Sequence, residues 1–150
     1  QTQNVLIENS YIYGISYAGL LFSPDIKRWW EVAPAENVEI RNNIFEHCSH
    51  ASDTMPDGAV SFKASHDGES GEYPAGVHKN ILIHNNRFKD FCGCGIFVSA
   101  ADSVRIEDNV FERDKTAQKQ GFDIRLVNCR NTKIYNNRDD DFPERLISIE

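Results

Sequence analysis

Five times along the chain the strand-like pattern Asn-Val-x-Ile-x-Asn-Asn-x-Phe returns with drift, over residues 4–12, 37–45, 80–88, 103–111 and 131–139. A unit this short cannot bury its apolar side alone, so it must stack on the next copy, which makes the chain a solenoid. The copies start 33, 43, 23 and 28 residues apart, so insertions must conceal the period.

A second landmark recovers the period. Each copy is followed by an apolar pair at spacing two: Leu20 and Phe22, Val60 and Phe62, Ile96 and Val98, Ile124 and Leu126, Ile147 and Ile149. That spacing is the signature of a half-buried strand. The shortest path from one motif through its pair to the next motif is 23 residues, and insertions of 10, 7 plus 13, zero and 5 reproduce all four separations. A turn of this size with two or three short strands is one rung of a parallel β-helix. The expected fold is therefore all-β, a right-handed parallel β-helix of about five rungs, with a single segment spanning 1–150 and loop insertions at 23–36, 46–57 and 63–79. At roughly 4.8 Å per rung it would stand only about 20–25 Å tall.

Within each rung, Val5 and Ile7, Val38 and Ile40, Ile81 and Ile83, Val104 and Ile106, and Thr132 and Ile134 should point inward. Asn42, Asn85, Asp108 and Asn136 should stack at one corner and hydrogen-bond along the helix, with Ile12, Phe45, Phe88 and Phe111 as an apolar column beyond them and Asp139 interrupting it. The repeat is entered at Asn4 and the chain stops within a strand pattern, with no capping segment at either end. It reads as part of a longer helix, for which contact with further rungs or with another copy is expected.

A net charge of -7 and a pI near 5.2 argue against binding a phosphate backbone, and no apolar run reaches the length of a membrane span. Cys48, Cys92, Cys94 and Cys129 lack metal-site spacing. Buried free thiols are the plainer reading, with Cys48 at an inward corner; a Cys48–Cys92 or Cys94–Cys129 bridge is the alternative.

The insertions at 23–36 and 63–79 leave from the same corner of consecutive rungs, so they should stand side by side on one edge, the usual place for a binding surface. The first holds both tryptophans, Trp29 and Trp30, beside Asp25, Arg28 and Glu31. Aromatic faces pack on sugar C–H patches while charged groups take the hydroxyls, so Trp29, Trp30 and Arg28 are substrate-binding candidates. His66, next to Asp67 in the other loop, joins them. Glycoside hydrolysis needs two carboxyl groups, separated by about 5–5.5 Å for retention or 6.5–9.5 Å for inversion. Asp25, Glu31, Asp53, Asp57 and Asp67 are the candidates, and the choice among them stays open. His47, His50 and Asp53 form too loose a group to count as a metal site, so neither metal nor cofactor is expected. The run Asp139-Asp140-Asp141 reads as a solvated turn.

The stretch Gly19-Leu-Leu-Phe-Ser-Pro-Asp25-Ile-Lys-Arg-Trp29-Trp30-Glu31, with the rungs at 37–45 and 78–88, resembles the middle-to-late β-helix of family 110 glycoside hydrolases. The resemblance spans roughly 14–112 and implies an inverting exo-α-galactosidase acting on terminal α-1,3-linked galactose. It also implies a glycan partner and a secreted or periplasmic parent. That family commonly shows Trp-Tyr-Glu-Ser-Gly where this chain has Trp29-Trp30-Glu31-Val32-Ala33. Its paired acidic motif lies nearer the N-terminus and has no equivalent here, so the segment alone is expected to be inactive. The competing readings are a non-catalytic glycan-binding or structural β-helix of a surface or secreted protein, and a polysaccharide-lyase-like β-helix.

Overall fold

A computed structural model describes residues 2–24, 33–49, 58–64, 73–112 and 121–150. The first rung comprises β1 (Thr2–Glu8), β2 (Tyr11–Tyr13) and β3 (Leu20–Phe22), and the second β4 (Ala35–Arg41), β5 (Ile44–Glu46) and β6 (Gly58–Phe62). The third has β7 (His78–His84), β8 (Arg87–Lys89) and β9 (Cys94–Ser99), and the fourth β10 (Ala101–Glu107), β11 (Val110–Glu112) and β12 (Ile124–Val127). The last comprises β13 (Arg130–Tyr135), β14 (Arg138–Asp139), a 3-10 turn at Pro143–Arg145 and β15 (Ile147–Ile149).

Every rung contributes one strand to each of three five-stranded parallel sheets: β1-β4-β7-β10-β13, β2-β5-β8-β11-β14 and β3-β6-β9-β12-β15. The register is the one the repeat demands. Val38 pairs Ile81, which pairs Val104. Val60 pairs Ile96, which pairs Ile124 and then Ile147.

The core is the column these pairings enclose. Val38, Ile40, Ile81, Ile83, Val104 and Ile106 are buried from the first sheet, while Val60, Phe62, Ile96, Val98, Ile124 and Leu126 are buried from the third. Phe45, Phe88 and Phe111 stack nearly parallel with centroids 5.0 Å apart. Ile12 packs against them at one end.

The corner departs from expectation by one residue. Asn42, Asn85, Asp108 and Asn136 do not form the ladder; they turn the chain, with φ of 54°, 54°, 55° and 56°. Asn and Asp tolerate this left-handed conformation better than other side chains except glycine. The ladder belongs to the next residue. Asn43, Asn86 and Asn109 each send Nδ2 to the following asparagine's Oδ1 at 3.0, 3.1 and 2.9 Å, ending on Asn137. Their side chains point into the helix, where turn carbonyls need donors and no water can serve.

Asp139 also departs from a solvated turn. It takes the position beneath Phe111 and is 4% exposed. Its Oδ1 accepts the N–H groups of Asp141 and Phe142, both at 2.9 Å, so it closes a tight turn. None of the four cysteines is in a disulfide, so the bridging alternative is not realised. Cys48 is fully buried, as its corner position required, and burial pushes its thiol up, as it does that of Cys129. Neither has the electropositive, accessible setting of a nucleophilic thiolate.

Candidate functional site

The edge singled out by the loops is built on the third sheet. The first loop follows β3 and the second follows β6, strands paired through Phe22 and Phe62, so their points of departure are one rung apart. The first sheet reclaims the last residues of both insertions, since β4 begins at Ala35 and β7 at His78.

Both departures and both returns are fastened. The rings of Phe22 and Phe62 stack at 4.4 Å and 3°. Lys63 N–H donates to the Phe22 carbonyl at 2.9 Å, and Ala64 N–H to Ser99 Oγ at 3.1 Å. Ser99 in turn donates to the Phe62 carbonyl at 3.3 Å. On the return side, Ala35 N–H donates to His78 Nδ1 at 3.2 Å. The amides of Gly76, Val77 and His78 converge on the Ala100 carbonyl at 3.1, 2.8 and 3.3 Å.

The outward face of this sheet changes along the helix. Leu21 is 53% exposed, whereas its neighbours Ser61 and Phe97 are 0% and 9% exposed although alternation turns them away from the core. The middle of the face is therefore enclosed rather than an open platform. Arg125 lies over the Phe97 ring at 5.8 Å and is anchored by Glu150. A pocket of about 180 Å³, lined by Thr2, Leu21, Phe22, Ser23, Pro24, Ala33 and Ala35, opens at the base of the first loop.

The residues chosen from sequence, Asp25, Arg28, Trp29, Trp30, Glu31, Asp53, Asp57, His66 and Asp67, lie outside the described residues, as does His50. What the structure locates is the base from which the stretches holding Asp25 to Glu31 and His66 to Asp67 depart; Asp53, Asp57 and His50 belong to the connection between β5 and β6. It also gives His47 different company: Nε2 lies 3.6 Å from Asp90 Oδ2, and with Glu46 the three offer ligand atoms within 4.8 Å of one another. One Glu46 oxygen already accepts the Tyr11 hydroxyl at 3.0 Å, and Tyr13 meets the His47 ring edge-on at 5.3 Å. Asp90 comes from the next rung, so only the register of the helix could have paired it with His47.

A second polar group covers the outer face of the first sheet. Glu39 joins His84 at 2.9 Å and Arg41 at 3.0 Å, and Arg41 bonds Glu8. The His84 hydrogen bond, with Arg41 adding to it, holds the Glu39 carboxyl below its usual range. Neighbouring charges of opposite sign on a half-exposed sheet account for this, with no ligand required.

The profile of the "Right handed beta helix region" family matches residues 1–141. The chain belongs to the right-handed β-helix family. Among curated relatives of this β-helix, alpha-1,3-galactosidase A of Bacteroides thetaiotaomicron is 31% identical over 136 residues, 89% of this chain and 22% of its own length. Alpha-1,3-galactosidase B of the same organism is 29% identical over 97% of the chain and 24% of its own length. Alpha-1,3-galactosidase A of Peterkaempfera griseoplana is 32% identical over 73% and 14%. The chain thus spans less than a quarter of each of these relatives, and the β-helix is like that of family 110 glycoside hydrolases. Among the described residues no helix is long and apolar enough to cross a membrane.

Proposed function

We propose that the protein to which this β-helix segment belongs is a glycoside hydrolase releasing terminal α-1,3-linked galactose with inversion. The observation that carries this reading is similarity over 89% of the chain to a protein named alpha-1,3-galactosidase A. The adjacent loop bases on the third sheet support it, since the stretch that holds both tryptophans follows one of them and the stretch that holds His66 and Asp67 follows the other. Trp29, Trp30, Arg28 and His66 are assigned to substrate binding, and the acid and base are sought among Asp25, Glu31, Asp53, Asp57, Asp67 and carboxylates elsewhere in the protein. Export to the periplasm or the cell exterior goes with a glycan substrate.

A second reading, in which the segment binds glycan while catalysis resides elsewhere, is favoured by the small share of each relative that it spans. One experiment addresses both. The full-length protein is given a terminal α-1,3-galactoside, and the released anomer is followed by NMR; release of β-galactose is expected, and no release from any such glycan overturns the hydrolase reading. The Trp29→Ala/Trp30→Ala variant should raise KM about tenfold or more, the loss expected when aromatic stacking worth about 1.5 kcal/mol is removed. Unchanged KM and unchanged glycan affinity would leave the two tryptophans a structural role.

A further inference from the structure

His78 opens β7 and is 0% exposed. Because Nδ1 accepts the Ala35 N–H, the neutral ring must carry its proton on Nε2. The ring meets Phe62 edge-on at 5.6 Å and 81°. It therefore touches the residue where the first loop returns and the residue after which the second loop departs. Burial drives its pKa down to about 4, opposed by the nearby Lys63 carbonyl, with which Nε2 does not reach good hydrogen-bond geometry. The titratable side chains nearest it in sequence and strand register are Glu36, Lys63, Lys79 and Asp102, while Glu39, Arg41, His84, Arg105 and Glu107 lie further along the same strands. Glu36 accepts the Gln3 amide, Asp102 is held by Arg130 and Asn131, and none of these side chains is a cause of the shift.

We propose that neutral His78 is a positioning residue that couples the return of the first loop at Ala35 to the departure of the second at Phe62, giving both loops one fixed base. A histidine can do this where an aliphatic side chain cannot, since the Ala35 N–H needs an acceptor and the same ring must pack edge-on against Phe62. Protonation puts a second N–H against the Ala35 amide and a charge into a dry site, so the coupling opens in acid. Its consequence for substrate rests on the galactosidase reading; the coupling itself does not.

The test uses hydrogen exchange in the full-length protein, read at the Ala35 amide and corrected for intrinsic rates. His78→Leu keeps the volume and removes the acceptor, so protection at Ala35 should fall about tenfold or more, the worth of one buried hydrogen bond. His78→Asn places an oxygen where Nδ1 stood and should stay within about threefold of wild type. Wild-type protection should also drop as pH falls through about 4, a transition absent from His78→Asn. Unchanged Ala35 protection in His78→Leu, or the wild-type acid transition persisting in His78→Asn, overturns the proposal; if His78→Leu does not fold, the second comparison decides. With an α-1,3-galactoside, His78→Leu should raise KM while His78→Asn does not. A wild type that releases no galactose yet shows the exchange pattern defeats the galactosidase reading and leaves the coupling standing.

Discussion

The two asparagines in the middle of the motif have different jobs, and mutation should separate them. Asn85 supplies a left-handed turn at φ 54°, which glycine adopts without a side-chain penalty. Asn85→Gly should therefore change stability by less than about 0.5 kcal/mol. Asn86 is buried and donates to the Ile40 and His84 carbonyls at 2.8 and 2.9 Å, while its Oδ1 takes the Asn43 amide at 3.0 Å. Asn86→Ala strands those groups and should cost roughly 3 kcal/mol in urea unfolding. Equal costs would return the ladder to the outer residue. Asn4, Asn37, Asn80, Ser103 and Asn131 form another left-handed column inside the first-sheet strands, so the leading asparagine of the motif also marks backbone geometry. The motif announced that amides recur, but one residue's shift decides between core and corner, and local pattern does not encode that choice.

His78 belongs to the same scale. Its pKa is about 4 when folded and 6.5 when exposed, so the unfolded chain binds the extra proton in between. The stabilisation is complete above pH 6.5 and is lost as pH falls to about 4, by about 3 kcal/mol. His78→Asn should flatten that part of the stability–pH curve measured by denaturant titration, and an unaltered slope would assign it to other groups. Nothing in the local sequence distinguishes His78 from a solvated loop histidine. Its burial comes from Ala35 and Phe62 in the rung before it, brought to its side by the stacking.

At the scale of the element, the phenylalanine column ends in a turn built by the residue that interrupts it. Asp139 accepts two backbone amides through Oδ1, an arrangement that asparagine reproduces and alanine does not. Asp139→Asn should unfold at nearly the wild-type midpoint, whereas Asp139→Ala should lose about 1–2 kcal/mol. Equal loss in both would show that the carboxylate charge matters more than its acceptor geometry. The interruption of the column was visible in the repeat; the compensating turn was not, because its partners follow Asp139 outside any periodic pattern. The glycines β-helix strands require are similarly hidden: a Cβ on Gly95 would lie 2.6 Å from the Phe111 ring, a contact made only once the rungs coil.

Over the whole molecule, stability should come from the stacked interior rather than from the ion pairs that join neighbouring rungs on its surface. Arg125 and Glu150, Arg130 and Asp102, and Arg41 and Glu8 are partly open to solvent, where charges are hydrated and screened. Arg125→Ala should lower stability by less than about 1 kcal/mol, and 1 M salt should move the urea midpoint only slightly. A large salt-induced loss would mean that surface charge governs the stack.

The repeat by itself determined the rung of 23 residues, the parallel stack, its register and the edge from which the loops leave, while the choice between two and three strands per rung came from the structure. Periodicity suffices for this because a parallel stack has one way to align identical short strands and bury their apolar faces. Only the tertiary structure decided which asparagine enters the core, that Asp139 caps a column, and that His78 joins two loop bases. Each of those outcomes depends on a partner one rung away or beyond the repeat. Such proximity arises from coiling the chain, and no window of local sequence contains it.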